Sequence, residues 1–216
     1  MCATRHAHVR LALFGATGGV GRHALRGALR AGHEVRALVR DPAKLGELAT
    51  EVEVVVGDLA RTSAIVETVA GAEGVLWTVG ARSNTRDQPV LFENALATAF
   101  EALPDGARIV IISGAAVRLD ADDDSLWRRL TIAVIRFLAR YPLEANERQA
   151  RVALATTKPW VLVRPGMMPE RPERGAIRAA AARLPGLRTT KADVATFMLE
   201  QLTTDVWLGK APFISS

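Results

Sequence analysis

Between Leu11 and Gly21 the chain reads Leu-Ala-Leu-Phe-Gly-Ala-Thr-Gly-Gly-Val-Gly, with Gly15, Gly18 and Gly21 spaced three apart. An apolar run short enough for a buried strand precedes them. A segment with Leu25, Ala28 and Leu29 at helical spacing follows. Glycines between a strand and a helix can hold a dinucleotide. Gly15 permits the tight turn, Gly18 lets the backbone approach a pyrophosphate, and Gly21 lets the helix pack close to the strand. The helix start then offers unpaired N–H groups and a partial positive charge to the phosphates.

Other positions with chemical potential follow the ends of later apolar runs. Arg40 comes after Val39, where NAD-binding proteins usually place an acidic residue for the ribose hydroxyls. A guanidinium there can pair with a 2′-phosphate, and Lys44 adds charge, so NADP(H) is expected over NAD(H). Arg40 can equally be an exposed loop cation while Asp41 caps the helix starting at Pro42. Asp58, in Gly57-Asp58-Leu59, is placed to meet an adenine amino group or to cap the next helix. Val79-Gly80 would let the ribose and pyrophosphate pass. Ser113-Gly114 ends a run beside the expected nicotinamide.

These positions need a scaffold that brings the ends of several strands together. Strand-like runs occur at Val9–Phe14, Val35–Val39, Val52–Val56, Val75–Val79, Ile109–Ile112 and Trp160–Val163. Amphipathic segments lie between them at Val20–Ala31, Pro42–Ala49, Ser63–Ala70, Pro89–Leu103 and Ser125–Thr156, the last split by Pro142. The rhythm predicts an α/β fold: one doubly wound Rossmann domain over residues 1–216, with a parallel sheet covered on both faces. Residues 164–190, irregular and proline-rich after a strand end, are expected to form a small substrate-side cap. Lys191 then starts a last helix, and Trp207–Ile214 is expected as an edge strand. Asp120 to Ser125 looks like a metal site only superficially and is read as capping the next helix.

The chain has 216 residues, 49% hydrophobic and 5% aromatic, which suits one core of alanine, leucine and valine. The single cysteine, Cys2, excludes an internal disulfide. No run of about 18 apolar residues predicts a membrane span, and the start lacks the apolar middle of a secretory signal. A cytoplasmic location is the expectation. The net charge of +5 comes from arginines spread among acidic residues, without a basic run interleaved with aromatics, so nucleic acid is not expected. Arg22, Arg26 and Arg30 read as a solvated face, although Arg22 directly follows Gly21 and could reach a phosphate.

Gly15–Gly21, Val39-Arg-Asp-Pro42, Gly57-Asp-Leu59, Trp160–Gly166 and Ala192-Asp-Val-Ala195 occur in that order over nearly the whole chain. In this the chain resembles atypical short-chain dehydrogenase/reductase proteins, including the biliverdin-IXβ/flavin reductase-like and NmrA-like branches. The resemblance implies a seven- or eight-stranded sheet, bound NADP(H) and a small cap. It implies that Gly15, Thr17, Gly18, Gly19, Val20 and Gly21 hold the pyrophosphate and that Arg40 takes the 2′-phosphate. It further implies Asp58 and Leu59 at the adenine, and Ser113 and Pro165 beside the nicotinamide.

One departure is large. Ordinary members use Tyr-x-x-x-Lys for proton exchange with the substrate oxygen. The only tyrosine here, Tyr141, is followed four residues on by Ala145, and Lys158 is too far along. Alcohol–ketone chemistry of the ordinary kind is therefore disfavoured. Hydride transfer to a flavin, quinone or tetrapyrrole remains open, because protonation can come from solvent. Ser113 would orient cofactor or substrate, and Met167 and Met168 would line an apolar pocket or pack in the core. The alternative is a non-catalytic redox sensor that binds NADP(H).

Overall fold

Valine, isoleucine and leucine crowd the central strands, and both faces of these strands are buried, as a sheet covered by helices on two sides requires. The computed structural model describes residues 8–81, 84–123, 125–169 and 171–216. Asp124 and Glu170, within the acidic stretch and the irregular segment, lie outside the described residues, as does Cys2. In chain order the elements are β1 (Arg10–Phe14), α1 (Gly19–Arg30), β2 (Glu34–Val39), β3 (Glu53–Val56), α2 (Thr62–Val69), β4 (Gly74–Trp77), α3 (Gln88–Glu101), β5 (Arg108–Ile112), α4 (Leu126–Leu138), α5 (Arg140–Ala155), β6 (Trp160–Pro165), β7 (Arg178–Ala180), α6 (Lys191–Glu200) and β8 (Phe213–Ser215). Pro42–Thr50 forms 3-10 turns broken at Gly46, where φ is 62°.

The eight strands form one sheet in the order β3-β2-β1-β4-β5-β6-β8-β7. All neighbours are parallel except β7 and β8. Side chains alternate across the sheet. Leu11 and Leu13 of β1 face the layer built by α1 and α6, where Leu25, Val194 and Met198 pack. Ala12 and Phe14 face the opposite layer, formed by α2, α3 and α5, where Ile65, Leu96 and Leu143 pack. This is the doubly wound α/β Rossmann arrangement, with helices on both faces.

Three details depart from the sequence reading. The last strand is not an edge: β8 lies between β6 and β7, and β7 takes the edge. The long helical stretch breaks at Ala139 (φ −137°, ψ 53°) rather than at Pro142. Pro142 sits in the first turn of α5, where its missing N–H leaves no intrahelical bond unmade. Among the described residues, the N-cap Ser125 makes no side-chain bond to α4. Asp122 instead turns inward. Its carboxylate lies 2.7 Å from the Arg164 guanidinium and 3.0 Å from that of Arg128.

Candidate nucleotide site at the carboxyl edge of the sheet

Strand order reverses between β1 and β4, the point where open α/β sheets bind ligands. Gly15 follows β1 with φ 83°, a conformation that favours glycine. A Cβ at Gly15 would lie 2.8 Å from both the carbonyl oxygen and Oγ1 of Thr78, the residue after β4. A Cβ at Gly21 would lie 2.1 Å from the Gly15 carbonyl oxygen and 2.8 Å from Thr78 Oγ1. The two glycines and Thr78 therefore close one knot at the switch point. Thr78 holds its side by donating from its N–H (2.9 Å) and its hydroxyl (2.7 Å) to the Phe14 carbonyl. Sequence reasoning passed over Thr78, because its role is visible only once β1 and β4 are neighbours.

Gly18 is the N-cap of α1 and donates to the Gly15 carbonyl at 2.8 Å. The N-cap Gly18 has no side chain to offer the helix start, and the first turn has no acidic residue. An external anion placed there would meet the first amides of α1 and the positive end of the helix dipole. Val20 is buried under the turn, while Thr17 and Gly18 are partly exposed and Gly19 is exposed.

The other expected residues arrive at the same edge. Arg40 is exposed after β2, and Asp41 beside it accepts from Ala43 N–H at 3.1 Å, so the cation and the cap coexist. Arg22 reaches this corner, donating to the Lys44 carbonyl at 2.6 Å, which brings Arg22 and Lys44 to the turn after Arg40. Asp58 does not cap α2, whose N-cap is Arg61; one of its oxygens accepts from Ala60 N–H at 3.0 Å in the turn before that helix, while Leu59 packs against the core. Val79 is buried, and Gly80 is exposed with open space where a Cβ would stand.

Ser113 follows β5, donates its N–H to Val163 at 2.8 Å and is 7% exposed. Its Oγ is buried without a hydrogen-bond partner among the described residues. A buried hydroxyl left unpaired is costly and points to a partner supplied from outside the chain. Pro165 is buried at the end of β6, its carbonyl accepting from Ala115 N–H at 3.0 Å. Helix α5 comes close on the other side: a Cβ on Gly114 would stand 3.4 Å from Asn146 Nδ2. What holds α5 there is a buried bond from Trp77 Nε1 to Gln149 Oε1 at 2.6 Å. Asn146 is a second site neighbour that spacing alone does not reveal. Tyr141 receives no lysine. Lys158 lies before β6, at the opposite edge of the sheet, paired with Asp105 at 2.9 Å.

After β6, residues 166–169 and 171–190 lead on from the same edge to α6. Met167 exchanges backbone bonds with Leu187 (2.9 Å) and Thr189 (3.0 Å), and both Met167 and Leu187 expose their side chains. Met168 instead packs partly into the core. The segment is tied down by Asp193 of α6. This fully buried carboxylate accepts from Gly175 N–H (2.9 Å), Arg174 N–H (3.1 Å), Thr190 Oγ1 (2.7 Å) and Ser216 Oγ (2.6 Å). Burial alone would raise its pKa, but the hydroxyls and amides outweigh that and hold it below the ordinary carboxylate value. On α1, His23 is held below the ordinary histidine value, first by burial and then by Arg26, with Lys191 and Arg30 adding to the effect against Glu173.

The chemistry of this edge fits a dinucleotide: a glycine cradle at a helix start, guanidinium and ammonium groups by β2, and an unpaired hydroxyl by β5. Among the described residues no helix is long and apolar enough to cross a membrane.

Comparison with known proteins agrees with the geometry. The family model for NAD(P)H-binding matches residues 15–205. Ceramide reductase of Caulobacter vibrioides is 38% identical over 112 residues, covering 50% of this chain and 35% of that protein, so the chain matches about a third of that relative's length. Among solved structures, the anaerobillin reductase ChuY of Escherichia coli O157:H7 has a TM-score of 0.75 at 20% identity, covering 95% of this chain and 96% of that one. A Streptococcus pneumoniae TIGR4 protein assigned as an NADH-flavin reductase has a TM-score of 0.73 at 18% identity, covering 96% and 99%. These likenesses establish a shared fold. With the family model spanning nearly the whole domain and its glycines at the switch point, the chain belongs to the NAD(P)H-binding family.

Proposed function

We propose that the chain is an atypical short-chain dehydrogenase/reductase that uses NADPH to pass a hydride to a flat conjugated acceptor, namely a flavin, quinone or tetrapyrrole. The observation that carries this reading is the buried, unpartnered Ser113 hydroxyl at the end of β5. It stands on an edge where the tyrosine–lysine pair has no counterpart. When bound, reduced nicotinamide supplies the hydride. The chain's own residues bind and orient. The glycine crossover takes the diphosphate, Arg40 the 2′-phosphate with Arg22 and Lys44 close by, and Ser113 fixes the carboxamide or the acceptor. Residues 164–190 serve as the cap, presenting Met167 and Leu187 to an apolar acceptor face. Protonation falls to solvent, which reaches the edge at exposed Gly80.

The shared fold of an anaerobillin reductase and a flavin reductase homologue supports the acceptor class. The partial match to a ceramide reductase makes ceramide the competing substrate to include. The test is NADPH oxidation measured with flavins, quinones, bilins and ceramide. Turnover with one planar acceptor is expected, and Ser113→Ala should lower kcat about tenfold, the worth of one hydrogen bond. Tight NADPH binding without turnover on any acceptor would favour a redox sensor instead.

A further inference from the structure

A lysine that no glycine motif contains lies across the phosphate cradle. A Cβ placed on Gly19, the first residue of α1, would stand 2.8 Å from Cδ of Lys191 and 3.0 Å from its Cε and Nζ. Lys191 is the first residue of α6. The contact recurs eight residues later on both helices, where a Cβ on Gly27 would meet Leu199 Cδ1 at 2.7 Å. Two contacts with the same offset mean that α1 and α6 run in the same direction, with two glycines letting them approach. The N-terminus of α6 is therefore level with that of α1, and the ammonium lies beside the first amides of α1. The α6 turn is held rigidly, since Thr190 Oγ1 accepts from Asp193 N–H at 3.0 Å while the Asp193 carboxylate is itself fully bonded.

We infer that Lys191 is a ligand of the cofactor's diphosphate, reaching from α6 over Gly19 to an anion seated on the α1 N-terminus. The inference rests on the nucleotide reading above and adds a residue to it. An anion at the α1 start gains amide donors and a dipole from one helix and a full positive charge from the other, and charge-assisted bonds of this kind are the strong ones. The diphosphate is common to NADH and NADPH, whereas the 2′-phosphate belongs to NADPH alone. The two cation sites are therefore separable by experiment.

The experiment measures NADPH and NADH affinity by nicotinamide fluorescence, for the full chain and for Lys191→Met, Lys191→Gln, Lys191→Arg and Arg40→Ala. Lys191→Met and Lys191→Gln should weaken both nucleotides about tenfold or more, while Lys191→Arg stays within a few-fold of the native chain. Arg40→Ala should weaken NADPH and spare NADH. The native affinity should also fall more steeply with added KCl than that of Lys191→Met, a difference that loss of packing alone would not produce. Native affinity in the Met and Gln variants, or a loss confined to NADPH, would overturn the assignment. Should the native chain bind neither nucleotide, the cofactor reading itself falls and takes the lysine's role with it. Native binding with indifferent Lys191 variants would remove the lysine alone.

Discussion

The two halves of this molecule are held together by different physics. From β1 to β4 the carboxyl edge is shaped by backbone. Gly15 and Gly21 close on Thr78 with no room for a side chain, and α1 starts from a glycine N-cap. From β5 onward the same edge is shaped by buried charge. Arg164, with its side chain 1% exposed, donates to the carbonyls of Ala211, Val117 and Ala181 and to the Asp122 carboxylate, and stacks 3.7 Å from the Phe213 ring centroid. Burial pulls its pKa down, against the opposing pull of Asp122. Asp193 does the equivalent work for Arg174 and Gly175. Backbone geometry suits a ligand part that never varies, the diphosphate. Polar clasps suit an edge assembled from segments far apart in the chain.

That contrast can be broken from either side. The largest effect is expected at Asp122→Ala, which leaves two guanidiniums without their shared anion. Removing one partner of a buried pair costs about 3–5 kcal/mol, to be read from urea unfolding, while NADPH affinity of the folded fraction stays near native. A coincident loss of affinity would mean that the halves are not separable. Gly21→Ala should behave in the opposite way. Its Cβ meets the Gly15 carbonyl, the expected stability loss is about 1–3 kcal/mol, and nucleotide binding falls by more than tenfold. Retained affinity would show that the knot at the switch point does not shape the cradle.

The smallest effect is a pH dependence. Asp193 has its folded pKa lowered below its ordinary 3.8. Its contribution is therefore complete above that value and fades as pH falls through the folded one. Urea midpoints measured from pH 6 down to pH 3 should decline less steeply in Asp193→Asn than in the native chain. Equal slopes would place the acid sensitivity elsewhere.

The difference between the halves also explains what could be read beforehand. The glycine crossover, six of the strands and their helices announce themselves through local pattern, because neighbouring residues cause them. Arg40, Asp58 and Ser113 follow strand ends, so local pattern points to them. Thr78, Asn146 and Lys191 carry no such signal, since each lies against a residue that only the folded sheet brings near. Asp122 read as a helix cap because carboxylates before a helix usually are caps, yet its partner Arg164 lies 42 residues on. The inner position of β8 was equally hidden, since three residues flanked by irregular chain give no hint of their neighbours. Pro142 misled because proline breaks helix interiors but is tolerated in first turns.

Three of the groups gathered around Arg164 are main-chain oxygens, those of Ala211, Val117 and Ala181. A carbonyl is the same whatever residue carries it. The loops converging on this arginine can therefore exchange their side chains while the anchor stays as it is. Selection or design can rewrite the loop surface around a fixed keystone, provided the arginine, its carboxylate and its ring are left alone.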